Sequence, residues 1–197
     1  MRLVVCYIAG VSVLLQRMTT RVVPAWPEPD AATAQRCAAV AVVVRVYQGS
    51  PHVLLLKRAE REGDPWSGQI ALPGGRFEPA DQNLYVTALR ETHEETGVDL
   101  RVAPYHGHAQ ALHPLSAGPK GMPVTPFLFA LDAAKVAEPI VTLNAEATAW
   151  FWFPLEAAAA GTLHSSITFR NTTFPAWQFE QYTVWGLTMR ILAQFIA

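Results

Sequence analysis

Apolar residues run almost unbroken through AAVAVVVRVY (Ala38–Tyr47) and again through HVLLLKR (His52–Arg58). Short apolar runs rich in β-branched residues read as buried strands. Gly49-Ser50-Pro51 between them is turn chemistry, so the pair predicts a hairpin. A polar loop with Gly and Pro, AEREGDPWSG, separates it from QIAL, a short strand ending at Pro73-Gly74-Gly75. From about Leu84 to Thr96 the period changes. Leu84, Ala88 and Leu89 recur at helical spacing, the other side is charged, and Gly97 supplies a C-terminal cap. VDLRVAPYHGHA predicts a strand from its start, and Leu112 to Pro123 a mobile loop rich in Pro and Gly. VTPFLFAL and TAWFWF read as two further strands, PLEAAAAG as a short helix ending at Gly161, and WGLTMRILAQFIA as a closing helix. Strands outnumber helices and nothing repeats. The pattern predicts one α/β (α+β) domain, a mixed sheet covered by helices.

The chain has 197 residues, 51% of them apolar, enough for one packed core. Its formal net charge of -1 shows no basic excess to call for nucleic acid. Cys6 and Cys37 form neither a disulfide framework nor a zinc set, which makes a reducing, cytoplasmic setting the default. Leu3–Leu15 follows Arg2 like the front of a signal peptide, but it is short for a membrane span and no small-residue cleavage site follows. The other readings are an extra N-terminal strand or helix, or a start at Met18. Pro24–Pro29, PAWPEP, reads as an extended linker, which puts an N-terminal extension at 1–35 and the folded domain at 36–197.

One segment makes an unfavourable local choice. Glu91 and Glu95 are four residues apart on the predicted helix, and Glu94 flanks the same face. Like charges at that spacing cost a few tenths of a kcal/mol per pair, roughly, and the C-terminal half of a helix disfavours anions. A solvated acidic face is the plain reading. A divalent cation would offset the repulsion, and carboxylate oxygens suit Mg²⁺ or Mn²⁺. Gly74 and Gly75 allow close backbone approach at the helix entrance, and Arg90 can hold a carboxylate by a bidentate pair.

The stretch resembles the Nudix box, G-x5-E-x7-R-E-U-x-E-E-x-G-U with U aliphatic. Gly75, Arg90, Glu91, Glu94, Glu95, Gly97 and Val98 match in order. Asp81 stands where the family usually has Glu, the spacer from Asp81 to Arg90 is one residue longer, and Thr92 replaces an aliphatic residue. The longer spacer, ending TALRE, is similar to the coenzyme A pyrophosphatase branch. So are LLLKRA and GQIALPGG, which match the two ends of that branch's upstream signature with Arg58, Gly68, Pro73, Gly74 and Gly75 in place. The middle departs: the loop is one residue longer, no Arg stands at the expected place, Arg61 is the nearby substitute, and Leu72 replaces Phe.

The resemblance implies a Nudix fold, a mixed β-sheet sandwiched between α-helices, and a hydrolase that uses Mg²⁺ or Mn²⁺ to cleave a nucleoside diphosphate derivative. Coenzyme A or its thioesters would give 3′,5′-ADP and 4′-phosphopantetheine or its acyl form. It implies Glu91, Glu94 and Glu95 as metal ligands with a Gly74 carbonyl, Arg90 as the residue that orients them, and Glu94, Glu95 and Arg90 as catalytic. Glu146, in LNAEATAWFWFPL, is the candidate general base, and an exposed loop acid is its plain reading. Arg58, Arg61 and Arg76 are candidates for the 3′-phosphate, and Trp66 for ligand contact. His93 lies off the glutamate face. His106, His108 and His113 are too loosely spaced for a metal set, and the rings of AWFWF read as core. The expected partner is a small nucleotide, not nucleic acid or membrane, with a homodimer as a candidate assembly. Two alternatives stand: a Nudix hydrolase of ADP-ribose, dinucleotides or nucleoside triphosphates, and a non-catalytic Nudix-fold module that senses a nucleotide.

Overall fold

The structure is a computed structural model that describes residues 12–24, 36–64, 66–114, 121–131 and 141–197. At its centre the first apolar run forms β1 (Ala38–Tyr47), antiparallel to β2 (Ser50–Arg58) and parallel to β6 (Val124–Leu131). The hairpin turn sits where expected, with Gln48 and Gly49 both at positive φ. The mixed sheet runs β3 (Ile70–Ala71), β2, β1, β6, β5 (Tyr105–His108). β4 (Gly74–Arg76) adds to β1, and β7 (Ala147–Pro154) to β2.

β1 is apolar throughout because both of its faces are covered, as in other helix-sandwiched sheets. Ala39, Ala41 and Val43 face one side, where α2 (Leu84–Thr96) packs Leu84 and Ala88 against them. Val42 and Val44 face the other side, against Leu14, Leu15 and Met18 of α1 (Val13–Thr19), Leu155 of α3 (Leu155–Ala159), and Ile191, Leu192 and Phe195 of α4 (Gly186–Ile196). α1 thus belongs to the packed body, with Met18 fully buried. The rings of β7 divide: Phe151 and Phe153 enter the core, whereas Trp150 and Trp152 lie on the opposite face, Trp150 36% exposed. Trp152 packs against the core beneath α2, so of the four rings only Trp150 departs from the core reading. Among the described residues no helix is long and apolar enough to cross a membrane.

Three parts of the fold differ from the sequence reading, the first being β4, where Gly74 and Gly75 were expected only to end the QIAL strand. The strand expected from Val98 starts later, because Asp99 accepts the Arg101 N–H and caps a 3₁₀ turn, Leu100–Val102; β5 begins only after Pro104. Residues 164–184, for which no element was expected, and Trp185, expected to open the closing helix, form a second antiparallel sheet of β8 (His164–Phe169), β9 (Thr172–Phe179) and β10 (Tyr182–Trp185). Residues 1–11 of the apolar N-terminal segment, the linker beyond Pro24, and 115–120 of the expected loop lie outside the described residues. At the flanks of that loop, Leu112 and Val124 exchange backbone hydrogen bonds of 3.0 and 2.9 Å.

Candidate active site

α2 sets the site through its two ends. The Asn83 side chain accepts the Val86 N–H at the start, and Gly97, at φ 71°, donates its N–H to the His93 carbonyl at the end. Leu84, Thr87, Ala88, Thr92, Glu95 and Thr96 are its buried residues, so a carboxylate occupies a position that the period assigns to a core residue. Thr92, the polar departure in the box, is fully buried and satisfied: its hydroxyl donates to the Ala88 carbonyl at 2.7 Å. β4 brings the glycines under this helix. Gly74 pairs with Val40 and Gly75 with Ala39. A Cβ on Gly74, at φ 151°, would run into the Ala39 carbonyl and the Val40 backbone, and one on Gly75 would run into the Glu91 carboxylate.

Asp81 and Arg90 form the clamp. Asp81 is 5% exposed and accepts Arg90 Nε at 2.9 Å and Nη2 at 2.8 Å, a bidentate pair. It also accepts the Thr87 hydroxyl and the Glu78 N–H. Burial pushes its carboxyl up, but the Arg90 fork and these two donors outweigh burial and hold it below the usual value. Arg90 is in turn held above its ordinary value, first by Asp81. Its Nη1 reaches Glu91 at 3.0 Å and Glu94 at 3.1 Å, and Nη2 donates to the Arg76 carbonyl at 3.1 Å. One guanidinium therefore links the Asp at the helix start to two acids at its end.

Glu95 is 6% exposed and accepts the Gly74 N–H at 2.8 Å. Burial pushes it up to about 7, aided by the charges of Glu91 and Glu146 and opposed by Gly74 and Arg58. Glu91 is raised by burial too, against Arg90. Glu94 is the exposed member, its side chain 53% accessible. A buried and a half-buried acid that are both costly to ionise, beside a third, are what a cation would relieve. The donor set of carboxylates and a nearby backbone carbonyl fits a hard divalent ion. Among the described residues no three acids, His or Cys converge as a metal set, and Glu91 and Glu94 are turned to Arg90.

Glu146, distant in sequence, is brought here by the segment before β7. Thr142 donates its N–H to the Thr96 carbonyl and Asn144 to the Glu95 carbonyl, while Asn144 Oδ1 accepts the Glu146 N–H. Arg61 Nη1 meets Glu146 at 3.3 Å. Arg61 and Glu146 are both about half exposed, so the pair is worth well under 1 kcal/mol in roughly median terms. Arg58 pairs with Asp64 at 2.7 Å, and Asp64 also accepts the N–H of half-buried Trp66. Sequence reasoning missed Asp64, Ser67, which accepts the Arg61 N–H, and Asn144; the Asp-Pro-Trp-Ser turn was the available signal. Arg76 is exposed on β4. His106 is half-buried and lowered by burial, and His113 bonds the Gly121 carbonyl; the three histidines form no metal set.

A family model described as NUDIX domain matches residues 35–174. Proteins described as uncharacterized Nudix hydrolase NudL, from Yersinia pestis (strain Pestoides F) and Yersinia pseudotuberculosis (serotype O:1b, strain IP 31758), are each 32% identical over 180 residues, 84% of this chain and 85% of theirs. The crystal structure of a MutT/nudix family protein from Enterococcus faecalis superposes with a TM-score of 0.54 at 20% identity, covering 91% of this chain and 65% of that one, a likeness of fold.

Proposed function

The chain belongs to the Nudix hydrolase family and is a pyrophosphohydrolase, and from that premise we propose that it cleaves the diphosphate of coenzyme A or acyl-coenzyme A to 3′,5′-ADP and 4′-phosphopantetheine or its acyl form. One observation carries the reading. The loop with the coenzyme A-type signature meets the acidic end of α2: Arg61 holds Glu146, and Glu146 and Arg58 both act on Glu95. The altered loop, one residue longer, thus still delivers an Arg to the acids.

In this reading Glu91, Glu94 and Glu95, with the Gly74 carbonyl, hold Mg²⁺ or Mn²⁺. When bound, the ion neutralises diphosphate charge and acidifies a water. The protein's own groups do the rest. Asp81 fixes the Arg90 plane, and Arg90 holds Glu91 and Glu94. The Gly74 N–H fixes the Glu95 carboxylate. Glu146 takes the proton of the water that attacks phosphorus. The water oxygen joins one phosphate, the bridging oxygen leaves with the other, and Arg58 and Arg61 meet the charge of the departing anion. Arg76, exposed beside the clamp, is a further cation for the 3′-phosphate.

The test is a substrate panel with purified protein and Mg²⁺ or Mn²⁺: coenzyme A, acetyl-coenzyme A, ADP-ribose, NADH, diadenosine polyphosphates and nucleoside triphosphates, with products resolved by chromatography. Coenzyme A yielding 3′,5′-ADP supports the reading. Cleavage of another nucleotide with coenzyme A intact sinks it, and nucleotide binding without cleavage sinks the catalytic assignment.

A further inference from the structure

The second sheet, β8–β10, borders an open cavity of about 370 Å³ against the signature loop. The cavity lies on the face of the main sheet away from α2, for Ile70 and Tyr182 in its wall pack with the core that α4 covers. Successive side chains of a strand point to opposite faces. Lys57 therefore lines the cavity, while Arg58, past an irregularity in the ladder, acts on Glu95. The loop makes the same division. Ser67 and Gly68 line the cavity, and Ser67 Oγ accepts the N–H of Arg61, whose guanidinium holds Glu146. Gln69 of the wall accepts the Arg58 N–H at 3.0 Å, and Ala59 donates its N–H to the Glu146 carbonyl at 2.8 Å, so the space adjoins the residues at the acidic end of α2.

The wall shows which arm. A nucleobase binds by stacking on an open ring face. The rings that line the space already have aromatic partners, on one face of Tyr182 and at a tilt on Trp185, while Phe169 stays 36% exposed. Tyr182 lies flat on Phe151 at 4.1 Å and 2°. Trp185 sits between Phe169 and Phe174, at 5.3 and 5.6 Å, and the Arg170 guanidinium covers the Phe169 ring at 5.2 Å. Lys57 is the one cation in the lining, a weak match for the dianionic 3′-phosphate of the nucleoside half. Besides the rings and the Lys57 ammonium, the wall offers Ile70 and Ile167, the Gln69 and Gln181 amides, and the Ser67 and Thr183 hydroxyls. Such a wall suits a flexible chain that alternates amides with aliphatic groups, and the volume is at the small end of the roughly 300–1,000 Å³ seen for ligand pockets. Resting on the coenzyme A reading above, we propose that this cavity holds the pantetheine arm of the substrate, leaving the adenosine half outside it.

Two substitutions test this by opposite routes: Ile167→Asp puts a charge into the apolar wall, and Gln181→Trp, at an exposed turn position, fills the space. Steady-state cleavage of coenzyme A is measured with each, together with inhibition by 3′,5′-ADP, which carries the adenosine half alone. The expected result is a KM for coenzyme A raised roughly tenfold or more with kcat within about twofold, the signature of lost uniform binding. The inhibition constant of 3′,5′-ADP stays unchanged. A weakening of 3′,5′-ADP to match coenzyme A assigns the cavity to the nucleoside half and overturns the proposal. Folded variants with the wild-type KM overturn it as well, leaving the coenzyme A reading intact. Wild-type protein that leaves coenzyme A uncut overturns the parent reading, and this one with it.

Discussion

Replacing Glu95 by Gln should make the metal-free protein more stable while abolishing its activity. Glu95 moves from 4.5 to about 7 on folding, chiefly through burial. The folded state therefore binds this proton more tightly than the unfolded state. Below about pH 4.5 both states are protonated and the group contributes nothing; between there and 7 stability falls as pH rises; above 7 the full penalty applies. Each tenfold change in proton affinity is about 1.4 kcal/mol, so two and a half powers of ten cost the apo fold about 3 kcal/mol at pH 8. A Gln amide oxygen still accepts the Gly74 N–H and carries no charge. For a chain of this length, about 3 kcal/mol is a rise in Tm of roughly 6–12 °C. The assay is thermal unfolding by circular dichroism in EDTA, at pH 8 and pH 5. The variant melts higher at pH 8, the gap closes toward pH 5, and Mg²⁺ raises the wild type alone. Equal melting at pH 8, or a gap independent of pH, would refute the claim that a buried, ionised Glu95 burdens the empty site.

The two glycines should separate function from folding. Gly75→Ala places its Cβ on the Glu91 carboxylate, a movable side-chain end, so kcat/KM falls by roughly a hundredfold with Tm nearly kept. Gly74→Ala meets backbone at positive φ, so the yield of folded protein and Tm both fall; a normal melt would count against the close β4–β1 approach. Asp81→Asn breaks the clamp and leaves Arg90 short of its main partner, for a loss of about 3 kcal/mol in urea unfolding. Because the Asp81 carboxyl is held low, its contribution is fully present above about 3.9 and is lost as pH falls through its lower folded value, so the variant and wild type should converge at the acid end. Glu146→Gln should lower kcat by about 10²–10⁴ with little change in KM, and a kcat within a few-fold of wild type moves the base elsewhere.

The acidic helix was legible because two signals agreed there: the apolar period of Leu84, Ala88 and Leu89, and Gly97 at the cap, where φ is indeed positive. The β1–β2 hairpin was legible for the same reason. The second sheet was not. β8 is exposed along nearly its whole length, so no alternating pattern marks it, and its turn to β9 is made by Arg170 and Asn171, both at positive φ, without a glycine. The strand expected after Val98 was displaced by Asp99, whose side chain favours a tight turn over a ladder. Within the site, the partners of Arg90 could be anticipated in kind, since Arg90 stands one and four residues from its two glutamates. That its main partner is Asp81, nine residues back, needed the fold. Glu146 reaches Glu95 only because residues 142–144 hydrogen-bond to the end of α2, a contact between distant segments with no local signature.

The most direct test of the site is a Mn²⁺ titration of wild type and Glu95→Gln, followed by electron paramagnetic resonance and by the rate of diphosphate cleavage in the same samples. Bound Mn²⁺ and rate should rise together in the wild type and be lost together in the variant. Cleavage that persists in EDTA, or a variant that binds Mn²⁺ and cleaves as the wild type does, would contradict a metal centre at the acidic end of α2.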